Sequence, residues 1–248
     1  MRVLALDAAT EACSVALLSG DELIWRSAEG GRSHAQQVLG MVEAVLAEAE
    51  VSLSTLDGIA ASIGPGAFTG VRISVAVAQG LAFGADLRVV PVSTLEALAF
   101  QVIRSGAKQA LACLDARMGE VYWGCFTPDP ARGLGSISPA SVGPPESVLL
   151  PVPGSYRGVG RGFSAYPALA ALPGLELDPE DGGSLPHARE FARLGALRLE
   201  REGVDPADVS PLYLRDKVAL TEAERRQQKA EAERLQQAEA ERLQQKAE

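Results

Sequence analysis

A glycine-rich turn between two apolar segments is the feature that most restricts how this chain can fold. Residues 64–70 read Gly-Pro-Gly-Ala-Phe-Thr-Gly. The apolar run before them, 56–63, is typical of a buried strand, and the run after them, 71–85, is typical of a buried helix. A buried strand that turns directly into a buried helix needs cover on both elements, so the sequence predicts an α/β fold.

The turn itself has two interpretations, both centred on Gly64, Gly66 and Gly70. Free backbone N–H groups and the positive end of a helix dipole can hold a phosphate or another anion. Alternatively, the glycines supply positive φ angles or allow two backbones to approach closely. No Gly-Lys-Ser/Thr ending follows, and the spacing Gly64-x-Gly66-x-x-x-Gly70 is one residue longer than the dinucleotide fingerprint. At this point both interpretations stay open.

The composition predicts a cytosolic globular protein. The chain has 248 residues and is 47% hydrophobic, which is enough for one large core or two small ones. Its first residues turn polar at Asp7, too early for a secretion signal, and we expect no apolar run near the roughly eighteen residues of a membrane span. Cys13, Cys113 and Cys125 form no C-x-x-C pair and lie in apolar runs, so they predict core positions and no metal site.

The formal net charge of −9 argues against a protein that binds nucleic acid alone, because neutralising phosphates requires a basic face. If an RNA takes part in the function, another chain is expected to supply most of its contacts.

The order of predicted elements indicates an internal duplication. Strands at 2–6, 13–18 and 22–27 form a meander, followed by helix 34–50, the strand before Gly64, helix 69–85 and strand 87–92. A second pass begins with strands at 110–115, 120–126 and 135–142, and a last helix covers 187–202. Asp7 and Asp115 each end the first strand of their half. We therefore predict a first subdomain at 1–105, a second at 106–218, and a solvated, partly helical repeat tail at 219–248, rich in Ala, Glu, Gln and Arg.

A duplicated βββαβα unit with these features resembles the actin-like ATPase fold, a member of the RNase H-like (ASKHA) class. In that fold the first aspartate and its turn handle the metal and phosphates of ATP. The resemblance makes five residues candidates for a nucleotide or phosphate contact: Asp7, Thr10, Gly64, Gly66 and Gly70.

Six motifs narrow the resemblance to one family. They are LDAATEACSVA at 6–16, GPGAFTGVRI at 64–73, QGLA at 79–82, PVSTL at 91–95, LDARMGEVY at 114–122 and PLYLR at 211–215. In this order they resemble the TsaB family of tRNA threonylcarbamoyladenosine biosynthesis proteins, over about residues 1–218.

The resemblance implies a non-catalytic scaffold that binds the catalyst TsaD, together with the ATPase TsaE. TsaD transfers the threonylcarbamoyl group to adenosine 37 of tRNAs that read codons beginning with A. ATP and a metal ion then belong to the partner complex, no cofactor is bound by this chain alone, and tRNA is contacted indirectly. The catalyst takes its metal from a His-x-x-x-His pair, and the matching positions here are Thr94 and Leu98. The two histidines of the chain, His34 and His187, lie far apart in sequence, so no catalytic residue is predicted.

Two surfaces are candidates for contacts, the first from this resemblance and the second from the residues themselves. Helices 34–50 and 69–85 are expected to face TsaD, or a second copy of the chain when TsaD is absent. The interface candidates are Val38, Met41, Val42, Val45, Phe68, Thr69 and Arg72. A polar cluster of Asp115, Arg117 and Glu120 is either a contact surface for a partner or nucleotide or a turn stabilised by an ion pair.

Two other functions remain as alternatives. The chain can be a small-molecule kinase or ATPase of the same fold, which would turn over ATP with Mg²⁺. It can also be a homodimeric regulatory protein unrelated to tRNA.

Overall fold

The computed structural model describes residues 1–30 and 34–215, and a compact unit, Met1–Leu214, contains every element named here. The strands are β1 (Arg2–Asp7), β2 (Ala12–Ser19), β3 (Glu22–Glu29), β4 (Gly58–Ser62), β5 (Arg88–Val92), β6 (Ala110–Arg117), β7 (Glu120–Asp129), β8 (Gly133–Ser136), β9 (Ser141–Gly143), β10 (Tyr156–Val159) and β11 (Leu175–Glu176). The helices are α1 (His34–Glu48), α2 (Phe68–Ala85), α3 (Thr94–Arg104), α4 (Gly162–Ala165) and α5 (Ala188–Glu202). The tail predicted at 219–248 lies outside the described residues.

The first sheet is covered on both faces. Its strand order is β3-β2-β1-β4-β5, with an antiparallel β1–β2–β3 meander and with β4 and β5 parallel to β1. Leu4 and Leu6 of β1 pack with α1 and α2, whereas Val3 and Ala5 pack with α5 on the opposite face. Burial of both faces explains why the strands read as continuous apolar runs in the sequence.

The second sheet repeats the topology of the first. Its strand order is β11-β10-β6-β7-β8, in which β6, β7 and β8 are antiparallel and β10 and β11 are parallel to β6. Strand β6 therefore occupies the place of β1, and β10 and β11 occupy those of β4 and β5. The strand arrangement is therefore duplicated as predicted, but the connection from β9 to β10 contains a 3-10 turn, Pro145–Ser147, where the first half has the helix α1.

Helices α3 and α5 lie in a core that both sheets share. This core joins residues of the first sheet, the second sheet and the two helices, among them Val3, Ala60, Leu98, Ala112, Leu114 and Leu194. The subdomain boundary near residue 105 stays a prediction, because the apolar core is continuous across it.

The sequence predicted the first half more accurately than the second. The predicted strands and helices of the first 92 residues coincide with β1–β5, α1 and α2, with ends that differ by a few residues. Helix α3 was not predicted as an element. The single strand predicted at 135–142 is wrong, because β8 and β9 are separate short strands that both pair with β7.

Helix α2 corrects the expectation about apolar runs. It has 18 residues and is apolar enough, by length and composition only, to cross a membrane, and about a third of it is buried within the fold. Its buried residues, which face the first sheet, are Gly70, Val71, Ser74, Val75, Ala78 and Ala82. A core helix of a globular protein passes the same test, so this finding gives weak evidence of a membrane span.

A buried ion pair fixes α5 against α3. The Arg198 side chain is 1% exposed, and its Nη1 lies 2.8 Å from Glu96 Oε1. Its Nε donates to the backbone carbonyl of Arg132, at 2.9 Å. The other carboxyl oxygen of Glu96 accepts the N–H of Ser93, in the capping box that begins α3. One guanidinium therefore links α5, α3 and the β7–β8 connection.

Replacing this guanidinium should destabilise the whole fold. We expect Arg198→Leu to lower the free energy of unfolding by about 3 kcal/mol, because it leaves a largely buried carboxylate without its cation. Urea denaturation measures the change. Arg201→Leu, at an exposed position of the same helix, should change stability by less than about 0.5 kcal/mol. Equal losses in the two variants would contradict the role assigned to Arg198.

Candidate functional site

The glycine-rich turn is filled by the backbone of the first strand's turn. A Cβ atom added to Gly66 or Gly70 would collide with the carbonyl oxygens of Ala9 and Ala8, respectively. The Ala67 N–H donates to the Ala9 carbonyl at 2.7 Å, and Gly64 has a φ of +96°. Close backbone approach and a positive φ therefore account for the three glycines. A nucleotide or phosphate contact by this turn stays a prediction.

The positions that match the catalyst's histidines belong to the core. The Thr94 hydroxyl donates to the Pro65 carbonyl at 2.6 Å, and its backbone N–H donates to the Gly64 carbonyl at 2.9 Å. Leu98, one turn further along α3, is fully buried. Neither side chain can bind a metal here, and within residues 1–30 and 34–215 no three His, Cys, Asp or Glu side chains are close enough to share one.

Asp7 is a buried carboxyl at the end of β1. Its Oδ1 accepts the Ala9 N–H at 3.0 Å, whereas Oδ2 and the neighbouring Thr10 hydroxyl have no hydrogen-bond partner in the described structure. Burial raises the pKa of Asp7 to about 6, despite the opposing effect of the Ala9 hydrogen bond. The role predicted for Asp7 and Thr10 in nucleotide contact stays a prediction.

The predicted polar cluster stabilises a tight turn and reaches the first sheet. Arg117 Nη1 lies 3.0 Å from Asp115 Oδ2, and the Arg117 N–H donates to Asp115 Oδ1 at 2.8 Å. Arg117 Nη2 lies 2.9 Å from Glu11 Oε1, in the β1–β2 turn, and Glu120 is opposite Arg117 in the β6–β7 pairing. Arg117 also has a positive φ of 62°. The arrangement fits the turn interpretation, and a role in partner contact stays a prediction.

His187 is the N-cap of α5 and packs against Trp25. Its Nδ1 accepts the Arg189 N–H at 3.2 Å. Its ring packs edge-on against the Trp25 ring, with the two ring centroids 4.9 Å apart. Burial, with a smaller contribution from the Arg189 charge, lowers the pKa of His187 to about 4. The residue is a structural cap that stays neutral at physiological pH. The side chain of His34 lies outside the described part of the chain.

The prediction that the valines of α1 lie in a partner interface is wrong. Val38, Val42 and Val45 are buried in the core between α1, α2 and the first sheet, and Met41 packs half-buried against the same core. Their own sheet covers this stripe, so a partner cannot contact the three valines. The exposed residues of α1 are instead Ala35, Gln36, Leu39, Gly40, Glu43, Ala44, Ala47 and Glu48.

Helix α2 exposes the residues predicted at its N-terminus. Phe68, Thr69 and Arg72 are exposed, as are Ala76, Gly80 and Phe83 along the same side, and the Phe83 side chain is 86% exposed. We call these six residues the outer face of α2. The sequence reasoning missed Tyr213, whose hydroxyl contacts Arg72. Only the PLYLR motif at 211–215 drew attention to that segment.

Comparison with known proteins gives consistent results. A family model described as TsaD, tRNA N6-adenosine threonylcarbamoyltransferase, matches residues 27–137. The chain is 40% identical to the tRNA threonylcarbamoyladenosine biosynthesis protein TsaB of Escherichia coli strain K12, over 88% of this chain and 96% of that relative. It is 35% identical to the protein of the same name from Haemophilus influenzae, over 88% and 95% of the two chains.

The solved structures agree on the fold. YeaZ from Pseudomonas aeruginosa matches with a TM-score of 0.79 and 41% identity, covering 86% of this chain and 99% of that one. The predicted two-sheet α/β fold class is confirmed by this likeness.

The two shifted pKa values predict opposite pH effects on stability. The pKa of Asp7 is raised from 3.8 to about 6. Its contribution to the free energy of unfolding is therefore present below pH 4 and is lost as pH rises to 6. The pKa of His187 is lowered from 6.5 to about 4. Its contribution to the free energy of unfolding is therefore present above pH 6.5 and is lost as pH falls to 4. In the wild-type protein these effects oppose each other over the same range.

Two single variants should separate these effects in urea denaturation from pH 4 to 8. Asp7→Asn should raise the free energy of unfolding at pH 8 by up to about 3 kcal/mol, and leave stability falling on acidification. His187→Asn keeps a capping oxygen and should leave stability falling as pH rises from 4 to 6. Parallel pH profiles for the two variants would show that these groups do not titrate as assigned.

Proposed function

The chain belongs to the TsaB family, and on that premise we propose that it is a subunit required for the biosynthesis of threonylcarbamoyladenosine in tRNA. The observation that carries this proposal is the 40% identity to Escherichia coli TsaB over 96% of that protein. The modified nucleoside is adenosine 37 of tRNAs that read codons beginning with A. The protein acts in the cytosol.

The role we propose for it is that of a scaffold rather than of the catalyst. A histidine pair at positions 94 and 98 would supply a metal site, but a threonine and a leucine stand there, both packed in the core. The ATPase alternative loses support for a related reason. Ala8 and Ala9 place their carbonyl oxygens against Gly70 and Gly66, so the chain's own backbone occupies the glycine turn. ATP and the catalytic metal are therefore assigned to the partner complex.

The proposed partner surface is the outward side of α1 and α2. The TsaD family model matches residues 27–137, a range that contains both helices, so a TsaD-family protein carries a counterpart of this helix pair. Two related helix pairs can meet around a pseudo-twofold axis, and two copies of this chain can meet in the same way. TsaD is the proposed partner, TsaE joins the complex, and the homodimer forms when TsaD is absent.

The composition of the outer face of α2 supports helix packing by a partner. Arg72 is the one charged residue of the helix, and Ala76 and Gly80 leave its centre nearly flat. Such an exposed apolar face is typical of a protein contact surface. The net charge of −9 supports an indirect role in tRNA contact.

The pathway assignment is tested in the cell that makes this protein. Its depletion should cause a large loss of threonylcarbamoyladenosine from digested tRNA, measured by mass spectrometry, and the wild-type gene should restore it. Normal levels after complete depletion would overturn the assignment and favour the regulatory alternative.

The partner surface is tested by a bulky residue at an open position. Gly80 and Gly183 both have empty space where a Cβ would stand, so an arginine at either position is expected to leave the fold intact. Gly80→Arg should weaken binding to purified TsaD at least tenfold, because it obstructs the outer face of α2. Gly183→Arg is the matched control on the second half, and should bind like wild type. Equal affinities by calorimetry would rule out this face.

A further inference from the structure

We propose that Arg72, held in place by Phe68 and Tyr213, receives a carboxylate of the partner protein when the two chains bind. The inference rests on the proposed function, since it specifies one contact within the proposed partner surface. It also makes the C-terminal segment that carries Tyr213 a part of that surface. We call Phe68, Arg72 and Tyr213 the Arg72 cluster.

The Arg72 cluster holds the guanidinium in one orientation. The Arg72 Cζ lies 3.4 Å from the centroid of the Phe68 ring, which is the distance of a stacked cation–π contact. The Arg72 Nε donates to the Tyr213 hydroxyl at 2.8 Å. Stacking and this hydrogen bond together leave the N–H groups of Nη1 and Nη2 for another acceptor. A guanidinium oriented in this way loses little side-chain entropy on binding a planar carboxylate.

The charge of Arg72 lacks a counter-ion within the described fold. No Asp or Glu oxygen of residues 1–30 or 34–215 lies within 4.0 Å of its guanidinium nitrogens, whereas Arg117, Arg132 and Arg198 each pair with a carboxylate. A cation with no carboxylate partner among the described residues, on an otherwise apolar helix face, calls for a complementary charge on the surface that covers that face. A carboxylate provides this charge and can accept two N–H groups at once.

The segment that carries Tyr213 is attached to α2 along its length. Gln79 Nε2, on α2, donates to the carbonyls of Pro206 and Val209 at 3.0 and 3.1 Å. The Leu212 N–H donates to the Ile63 carbonyl at 2.7 Å, at the end of β4. Tyr213 follows directly, so backbone contacts place its ring beside Arg72. The ring is 49% exposed, as is expected of a residue at the edge of a contact surface.

The neighbouring charges favour a protein carboxylate over a nucleic acid phosphate. Arg72 is the one cation of α2, and α1 contains glutamates but neither lysine nor arginine. Binding to a phosphate backbone needs several cations along one face. Along α1 and α2, one guanidinium beside small apolar residues suits a partner helix that presents one Asp or Glu among apolar side chains.

The test is calorimetric binding to the purified TsaD-family catalytic subunit of the same organism, with the full-length chain. Arg72→Glu should weaken binding roughly a hundredfold or more, because it places two carboxylates against each other. Arg72→Lys should weaken it by about tenfold, since an ammonium cannot donate two parallel N–H groups to one carboxylate. Tyr213→Phe removes the hydroxyl alone, and should cost roughly three- to tenfold.

Arg201→Glu makes the same charge change on the exposed side of α5, and should bind like wild type. Thermal unfolding of each variant should match wild type, because the three side chains of the Arg72 cluster are exposed. A carboxylate-to-arginine change on the partner that restores the binding of Arg72→Glu would identify the acceptor and support the inference directly.

The outcomes separate this inference from the proposed function. If wild-type chain does not bind TsaD, both are overturned. If wild type binds and Arg72→Glu binds equally well, the partner surface stands and the carboxylate contact is overturned. If Arg72→Glu leaves TsaD affinity unchanged but lowers the affinity of the complex for tRNA, the acceptor is a phosphate, and the inference is wrong.

Discussion

The contact between two backbone turns determines where the surface features of this protein lie. Gly66 and Gly70 rest on the carbonyls of Ala9 and Ala8, so any side chain there would push α2 away from the first sheet. The same turn receives two hydrogen bonds from Thr94 at the start of α3. The direction of α2 therefore depends on the absence of side chains at Gly66 and Gly70. The positions of Phe68 and Arg72 follow from that direction.

A second constraint is the core that joins the two sheets. Helices α3 and α5 contribute to it from between the sheets, and the buried pair of Arg198 with Glu96 ties the helices together. In addition, Arg117 pairs with Glu11 in the β1–β2 turn, and Arg161 pairs with Glu29 of β3. Opening the two halves would expose apolar surface and break these pairs. A fold held together in this way suits a scaffold that presents a fixed surface.

The sequence predicts those features that are encoded locally. Apolar periodicity and turn residues located β1–β5, α1 and α2 because each element carries its own signal. The sequence predicts one strand where β8 and β9 lie, because the positions of these short strands depend on pairing with β7, and the stretch 128–153, rich in proline, carries little periodicity. Helical spacing grouped Val38, Val42 and Val45 correctly on one stripe of α1. It could not show whether their own sheet or a partner covers that stripe.

Contacts between distant residues explain the rest of what sequence reasoning missed. The glycine turn could not be interpreted without Ala8 and Ala9, which lie more than fifty residues earlier in the chain. Tyr213 meets Arg72 across a separation of 141 residues, and no pattern in either segment announces the contact. The family resemblance gave the correct fold class, but the faces of its helices had to be assigned from burial.

The exposed glycines of α2 favour close packing of another helix against its outward side. A glycine inside a helix costs up to about 1 kcal/mol relative to alanine, so it normally needs a structural reason. Gly70 has one, in the Ala8 carbonyl, whereas a Cβ placed on Gly80 or Gly84 would have no described atom within 4 Å beyond its chain neighbours and the backbone of its own helix. Among residues 1–30 and 34–215, these two glycines therefore lower helix stability without a packing contact that explains them. A second helix that packs closely against this side would supply the missing reason, because small residues allow two helix backbones to approach each other.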